Sequence, residues 1–229
     1  WWLTRAGFAV TIVECAPAPR EDGYMIDFWG AGYDVAERMD LIDELRSQGY
    51  CIDEIRFVNA YGERTGGLEL ESLRSLLDGR FLSIMRGDLS RVLYDRIADD
   101  AELVFGDTAT CIEQRAGEVL VDFERSRTRS FDLVVGADGL HSRVRELAFG
   151  PQEAFETKLG YYAACFCTDR YPYRDERAYV SHTSPRRHVA RYALRDDRAD
   201  AAPLGRSFSA LHPGRLRAAI SVSARSVVP

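Results

Sequence analysis

No stretch of this 229-residue chain approaches the ~20 apolar residues that a membrane helix requires. Its first residues also carry no basic region followed by a cleavage site. Neither a membrane partner nor export is expected, and the cytoplasm is the expected compartment. Cys-x-x-Cys is missing as well. Five cysteines, at 15, 51, 111, 165 and 167, and four histidines, at 141, 182, 188 and 212, fall in no metal-ligand spacing, so no metal is expected. Cys165 and Cys167 are i and i+2 on an extended chain, too far apart to bridge easily; all five are expected as free thiols, buried or half-buried. There is no basic stripe either. Thirty basic residues stand against 36 acidic ones for a net charge of -6, which argues against a nucleic-acid surface. The arginines within residues 125–129 and at Arg186 and Arg187 are short clusters, expected as solvated loop charge. Oligomeric state leaves no trace in the composition.

What is present is enough apolar content, 46%, to bury a substantial core in one large domain or two small ones. After a helix end at residues 1–6, a strand is expected over Phe8–Val13, with another over Tyr24–Trp29 running to Gly30 and Gly32. Apolar positions Val35, Met39, Leu41, Ile42 and Leu45 predict one helix over residues 34–48, stopped by Gly49. A hairpin follows within residues 53–70. Asp88 is placed to cap a helix with Leu89, Val92, Leu93 and Ile97 on one face. Strands are then expected at Leu103–Phe105, Thr108–Gln114, Glu118–Glu124 and Ser130–Val135, with a further sheet from Tyr161–Thr168 and Ala178–Leu194.

Two carboxylates stand at positions where chemistry is done. Glu14 closes the apolar run Gly7-Phe-Ala-Val-Thr-Ile-Val-Glu14, as an acid at a strand's carboxyl end closes on the vicinal hydroxyls of a ribose. Asp138 lies in Gly136-Ala-Asp-Gly139, expected to join a buried strand, Phe131–Val135, to a helix capped by Ser142. Glycines on both sides allow a sharp turn and close backbone approach. A plain strand-turn-helix corner and a surface acid are the structural alternatives.

Together, Glu14, the stretch Ile84-Met-Arg-Gly-Asp-Leu-Ser-Arg-Val-Leu93, and Gly136-Ala-Asp-Gly139 with Ser142-Arg-Val-Arg145 resemble the FAD-dependent aromatic hydroxylases of the para-hydroxybenzoate hydroxylase type, including their tetracycline-inactivating relatives. The resemblance covers roughly residues 1–200, and the Asp-Gly segment is its most specific part. It implies an α/β chain, an incomplete Rossmann-like FAD-binding fold with a β-rich substrate domain. Residues 1–150 would form a partial FAD-binding domain, with 20–85 contributing toward the substrate side. Residues 151–198 would form part of the substrate sheet, and 199–229 a divergent, disordered tail. The implied cofactor contacts are Glu14 on the adenosine ribose, Arg86 along the flavin, and Gly136, Asp138 and Gly139 near the ribitol and pyrophosphate. Arg143 and Arg145 are weaker candidates for the nicotinamide nucleotide's phosphates, and Tyr24, Asp27 and Trp29 for the surroundings of the flavin ring.

The implied reaction uses NAD(P)H to reduce FAD, which activates O2 and passes one oxygen atom to a small aromatic or polycyclic substrate. The cofactor carries the electronic work, so no catalytic side chain and no Ser-His-Asp set is expected. Two family features have no counterpart here: the opening Gly-x-Gly-x-x-Gly loop and a late Gly-Asp, since Gly87-Asp88 and Gly106-Asp107 come too early. The chain is therefore expected to be a fragment, truncated at both ends, and its last stretch, with no acid after Asp200, to be out of frame or a basic extension. A non-catalytic remnant of such an enzyme and an NAD(P)-dependent dehydrogenase are the alternative functions. The dehydrogenase would share Glu14 but has no use for Arg86 or the Asp138 corner.

Overall fold

The structure, a computed structural model, describes residues 1–20, 23–160, 162–168, 175–194 and 216–222. In chain order its elements are α1 (Trp2–Arg5), β1 (Thr11–Glu14), β2 (Met25–Trp29), α2 (Ala31–Arg38), α3 (Ile42–Gln48), β3 (Glu54–Val58), β4 (Arg64–Glu69), α4 (Leu70–Leu76), β5 (Phe81–Met85) and α5 (Arg86–Asp95). They continue with β6 (Glu102–Phe105), β7 (Ala109–Arg115), β8 (Glu118–Phe123), β9 (Arg129–Phe131), α6 (Arg143–Phe149), a 3-10 turn at Gln152–Ala154, β10 (Tyr162–Thr168), β11 (Ala178–Ser184), β12 (Arg187–Ala193) and β13 (Leu216–Val222). The fold is mixed α/β. It divides into two compact units that interleave along the sequence, Trp1–Arg20 with Leu93–Leu159, and Glu21–Val92 with Gly160–Pro229.

In the first unit, β1 pairs in parallel with β6, from Thr11 opposite Glu102 to Glu14 opposite Phe105. β7, β8 and β9 form an antiparallel meander. Asp107, just before β7, is buried and fastens the start of the meander to the loop between β8 and β9. Its Oδ1 accepts the N–H groups of Thr108 (2.9 Å) and Arg125 (3.0 Å), and its Oδ2 accepts that of Ser126 (2.9 Å). The expected buried strand Ser130–Val135 is not realised. Pairing ends with Phe131 opposite Val119, residues 132–139 run outside any strand, and Leu133 and Val135 are 61% and 64% exposed. An apolar run is buried only where a second layer covers it, and among the described residues no strand pairs with this one.

The second unit holds β2 against β5 and a six-stranded sheet in the order β10-β13-β12-β11-β3-β4. All five residues of β5 are buried, with Ile84 fully so, because both of its faces are covered. Burying a side chain such as Ile84 contributes roughly 1.5–3 kcal/mol. The single helix expected over residues 34–48 is two. Asp40 takes a left-handed conformation (φ 58°) and ends α2, so Leu41 and Leu45 turn into the core from a new helix, α3. The helix that Asp88 was expected to cap, α5, begins at Arg86, so Asp88 sits inside its first turn rather than ahead of it. Within the stretch 199–229, expected to be disordered, residues 216–222 form β13, paired antiparallel with both β10 and β12.

The sheet's two faces differ in kind. Alternation puts Tyr179 and Tyr192 on one face, their rings stacked at 6.0 Å, and Arg56 and Arg191 on the other, where both bind Asp175, Arg56 at 2.7 Å. Cys15, Cys51, Cys111 and Cys165 are exposed, not buried or half-buried as expected, and the Cys167 side chain lies outside the described residues. Among the described residues no helix is long and apolar enough to cross a membrane.

Candidate functional site

In the first unit, Glu14 is the last residue of β1, at the carboxyl end of a parallel pair, the position its sequence pattern predicts. Its Oε1 accepts the Ala16 N–H at 2.8 Å, and Arg20 lies 3.8 Å away. Its other oxygen is bonded to nothing among the described residues.

The Asp138 corner is more tightly organised. Oδ1 accepts from the Ser142 hydroxyl and Oδ2 accepts the Val144 N–H at 2.9 Å, while Ser142 Oγ accepts the Arg145 N–H at 3.0 Å. Two of the donors that open α6, the Val144 and Arg145 N–H groups, are thus satisfied by side chains six and three residues earlier in the same corner. Burial opposes ionisation of Asp138, but these hydrogen bonds outweigh it and hold the carboxyl below its usual range. The glycines serve the same turn. A Cβ on Gly136 would lie 2.9 Å from Val144 Cγ1, and Gly139 has φ +84°. Arg143 and Arg145 are engaged locally: Arg143 with Glu146 at 2.6 Å, Arg145 with the Leu140 carbonyl at 2.6 Å and over the Phe155 ring at 5.6 Å.

In the second unit, Arg86 stands where β5 becomes α5. Its N–H donates to the Tyr24 carbonyl at 3.0 Å, and Gly23 packs against its side chain so closely that a Cβ there would meet Arg86 Cβ at 2.8 Å. The backbone is fixed, yet the exposed guanidinium makes no ion pair or hydrogen bond among the described residues. Among the described residues, no salt bridge gives it a purely structural role.

Beside it, β2 pairs with β5 so that Asp27 faces Ser83, whose hydroxyl donates to Asp27 Oδ1 at 2.8 Å. Ser83 is 1% exposed, Asp27 is exposed and Trp29 is 55% exposed. Tyr192 Oη accepts the Met25 N–H at 2.7 Å and donates to Met85 Sδ at 3.8 Å. Burial first, and then the charges of Asp27 and Cys165, push the Tyr179 phenol up. Sequence reasoning passed over Ser83 and Tyr192. The continuous apolar run Phe81-Leu-Ser-Ile-Met85 was the available signal for β5, and a serine inside it marks a polar group needing a partner.

No family model matches the chain. It is similar to uncharacterized protein Rv1260 of Mycobacterium tuberculosis, 37% identical over 172 residues, covering 75% of this chain and 46% of that protein. It is also similar to a flavin-dependent monooxygenase of Legionella longbeachae, 32% identical over 171 residues, covering 75% and 43%. Among solved structures, tetracycline destructase Tet(51) superposes with a TM-score of 0.74 at 26% identity, covering 100% of this chain and 54% of that one. Klebsiella pneumoniae HpxO, complexed with FAD and uric acid, shares the fold with a TM-score of 0.71 at 20% identity, covering 99% and 53%. The chain spans about half the length of the curated relatives it matches. On this agreement of sequence and fold, the chain belongs to the flavin-dependent monooxygenase family.

Proposed function

We propose that this chain is part of a FAD-dependent monooxygenase that uses NAD(P)H and O2 to hydroxylate an aromatic or polycyclic small molecule. The observation that carries the reading is the Arg86 guanidinium, exposed and unpaired among the described residues on a backbone pinned by Tyr24 and Gly23. A cation on a fixed backbone, with no partner among the described residues, is available for a ligand's oxygens, and guanidinium stays charged at every working pH.

Taken by itself, the first unit also carries groups suited to a flavin nucleotide. Glu14 keeps one carboxylate oxygen for ribose hydroxyls. Gly136 and Gly139 let the backbone turn without side chains in the way of a ligand, and Asp138 holds that turn rigid through Ser142 and Val144. When bound, FAD supplies the passage of electrons from nicotinamide to dioxygen. The chain's own work is to bind it, orient it and keep water out. The uric acid bound by HpxO and the 2-aminobenzoylacetate bound by Pseudomonas aeruginosa PqsL are small molecules with polar groups on a conjugated frame, which supports a substrate of that kind.

The test is made on the full-length protein. It is expected to purify with, or take up, stoichiometric FAD, and to oxidise NAD(P)H with O2 uptake that rises when an aromatic substrate is added. A full-length protein that folds but stays colourless in saturating FAD refutes the proposal.

A further inference from the structure

Asp27 is exposed, and its Oδ1 accepts from a neutral, buried hydroxyl, that of Ser83 at 2.8 Å. No arginine reaches it among the described residues, and its second oxygen is bonded to nothing there. Ser83 fixes where the charge points without neutralising it.

The surroundings are aromatic. Trp29 shares the Asp27 face of β2 and is more than half exposed. The stacked pair Tyr179 and Tyr192 comes to the same place from the six-stranded sheet, with Tyr192 hydrogen-bonded to the Met25 N–H and Met85, the residues flanking Asp27 and Ser83 on that face. The Asp27 charge is near enough to act on the Tyr179 phenol. Along β5, Ser83 lies three residues before Arg86, about 10 Å at the strand rise. A fixed acid and an exposed indole therefore share one face of β2, Tyr179 and Tyr192 reach that face from the six-stranded sheet, and Arg86, with no ion pair among the described residues, stands just past the end of β5.

We infer that Asp27 is a specificity-determining residue that takes an N–H donor or cation on a planar aromatic substrate, with Trp29 and Tyr179 against the substrate's ring. The assignment rests on the monooxygenase reading for its location beside Arg86. An exposed carboxylate without a counter-ion attracts a cationic donor and repels an anion, and aromatic faces add attraction to a flat cation.

The probes are 9-aminoacridine, a planar cation, and acridine, the same ring system without the amino donor. Equilibrium binding of each to the full-length, FAD-loaded protein is measured for wild type, Asp27→Asn, Asp27→Glu, Ser83→Ala and, as a control for general negative charge, Asp43→Asn on α3. Wild type is expected to prefer 9-aminoacridine by roughly tenfold or more, in line with one charge-assisted hydrogen bond. Asp27→Asn should abolish the preference, Asp27→Glu keep part of it, and Asp43→Asn leave it whole, with FAD affinity the same throughout. Equal wild-type affinities, a preference that survives Asp27→Asn, or altered FAD affinity in that variant overturns the inference. If Asp27→Asn does not fold, Ser83→Ala decides: a preference lowered severalfold supports the assignment, and an unchanged one overturns it. Failure of the monooxygenase reading is distinct, because it appears as wild type that takes up no FAD, and the two-probe comparison is then read on the FAD-free protein.

Discussion

The Asp138 corner and the Arg86 junction both match motifs of the same family, yet they spend their polar groups in opposite ways. At the corner, Asp138, Ser142 and the first amides of α6 satisfy one another, and the two arginines of that helix are paired with Glu146 and Leu140. At the junction, the backbone is pinned and the guanidinium is left with no partner among the described residues. A motif residue with its hydrogen bonds closed shapes the chain that meets a ligand, whereas one left open is available to touch it. Asp138 would then act as a positioning residue and Arg86 as a direct contact.

Paired substitutions separate the two roles. Arg86→Ala in the full-length protein is expected to weaken FAD binding by about 10- to 100-fold, or about 1.4–2.7 kcal/mol, while FAD-free stability stays within about 0.5 kcal/mol of wild type. Asp138→Ala should do the reverse in emphasis, lowering FAD-free stability by about 1 kcal/mol through the lost helix-end acceptor. Denaturant titration without FAD and flavin titration in buffer give both numbers for both variants. Should Asp138→Ala leave FAD-free stability untouched, or Arg86→Ala lower it as much as Asp138→Ala does, the contrast is void.

The same contrast marks what the sequence could and could not disclose. Glu14 at a strand end, Ser142 as a cap and the hairpin within 53–70 follow from local chemistry, where one residue type satisfies a backbone need a few positions away. β5 does not: its burial on both faces removes the alternation that identifies a strand, leaving only a short apolar run. The strand projected to Val135 fails for the converse reason, since apolar sequence promises burial that only a covering layer can deliver. The helix break at Asp40 depends on a left-handed residue that the apolar spacing conceals, because Val35, Met39 and Ile42 keep a helical period across the break. Similarly, β13 lies in a stretch of Ala, Arg and Ser that carries little strand signal by itself, and it is defined by its two neighbours, β10 and β12. Whether Arg86 is paired or free was likewise invisible in its motif, being a property of what the fold brings near.

Acid sharpens the comparison, because the first unit relies on carboxylates with depressed pKa values. Asp107 is held down to about 2, by the Ser126 hydrogen bond first, against burial, with the amides of Arg125, Thr108 and Ser126 adding to it. Asp138 shifts in the same direction. A carboxyl whose folded pKa lies below its unfolded value of about 3.9 stabilises fully above that value and stops doing so as pH falls through the folded pKa. The stability gap between wild type and Asp107→Asn is therefore expected to be widest above about pH 4 and to close toward pH 2. A gap that holds constant across that window, in denaturant titrations at each pH, would show that the clasp does not depend on ionised Asp107.

The smallest effect belongs to Arg143. Its ion pair with Glu146 is an i,i+3 contact between side chains that are each nearly half exposed, and such pairs contribute about 0.2–0.5 kcal/mol. Arg143→Ala should change FAD-free stability by no more than that, with the difference shrinking further in high salt. If the helix-surface arginine serves only this pair, the KM for NADPH is also unmoved. A severalfold rise in that KM, with kcat and stability preserved, would instead transfer Arg143 from the closed class to the open one and leave Arg145 as the only arginine of α6 spent entirely on its own corner.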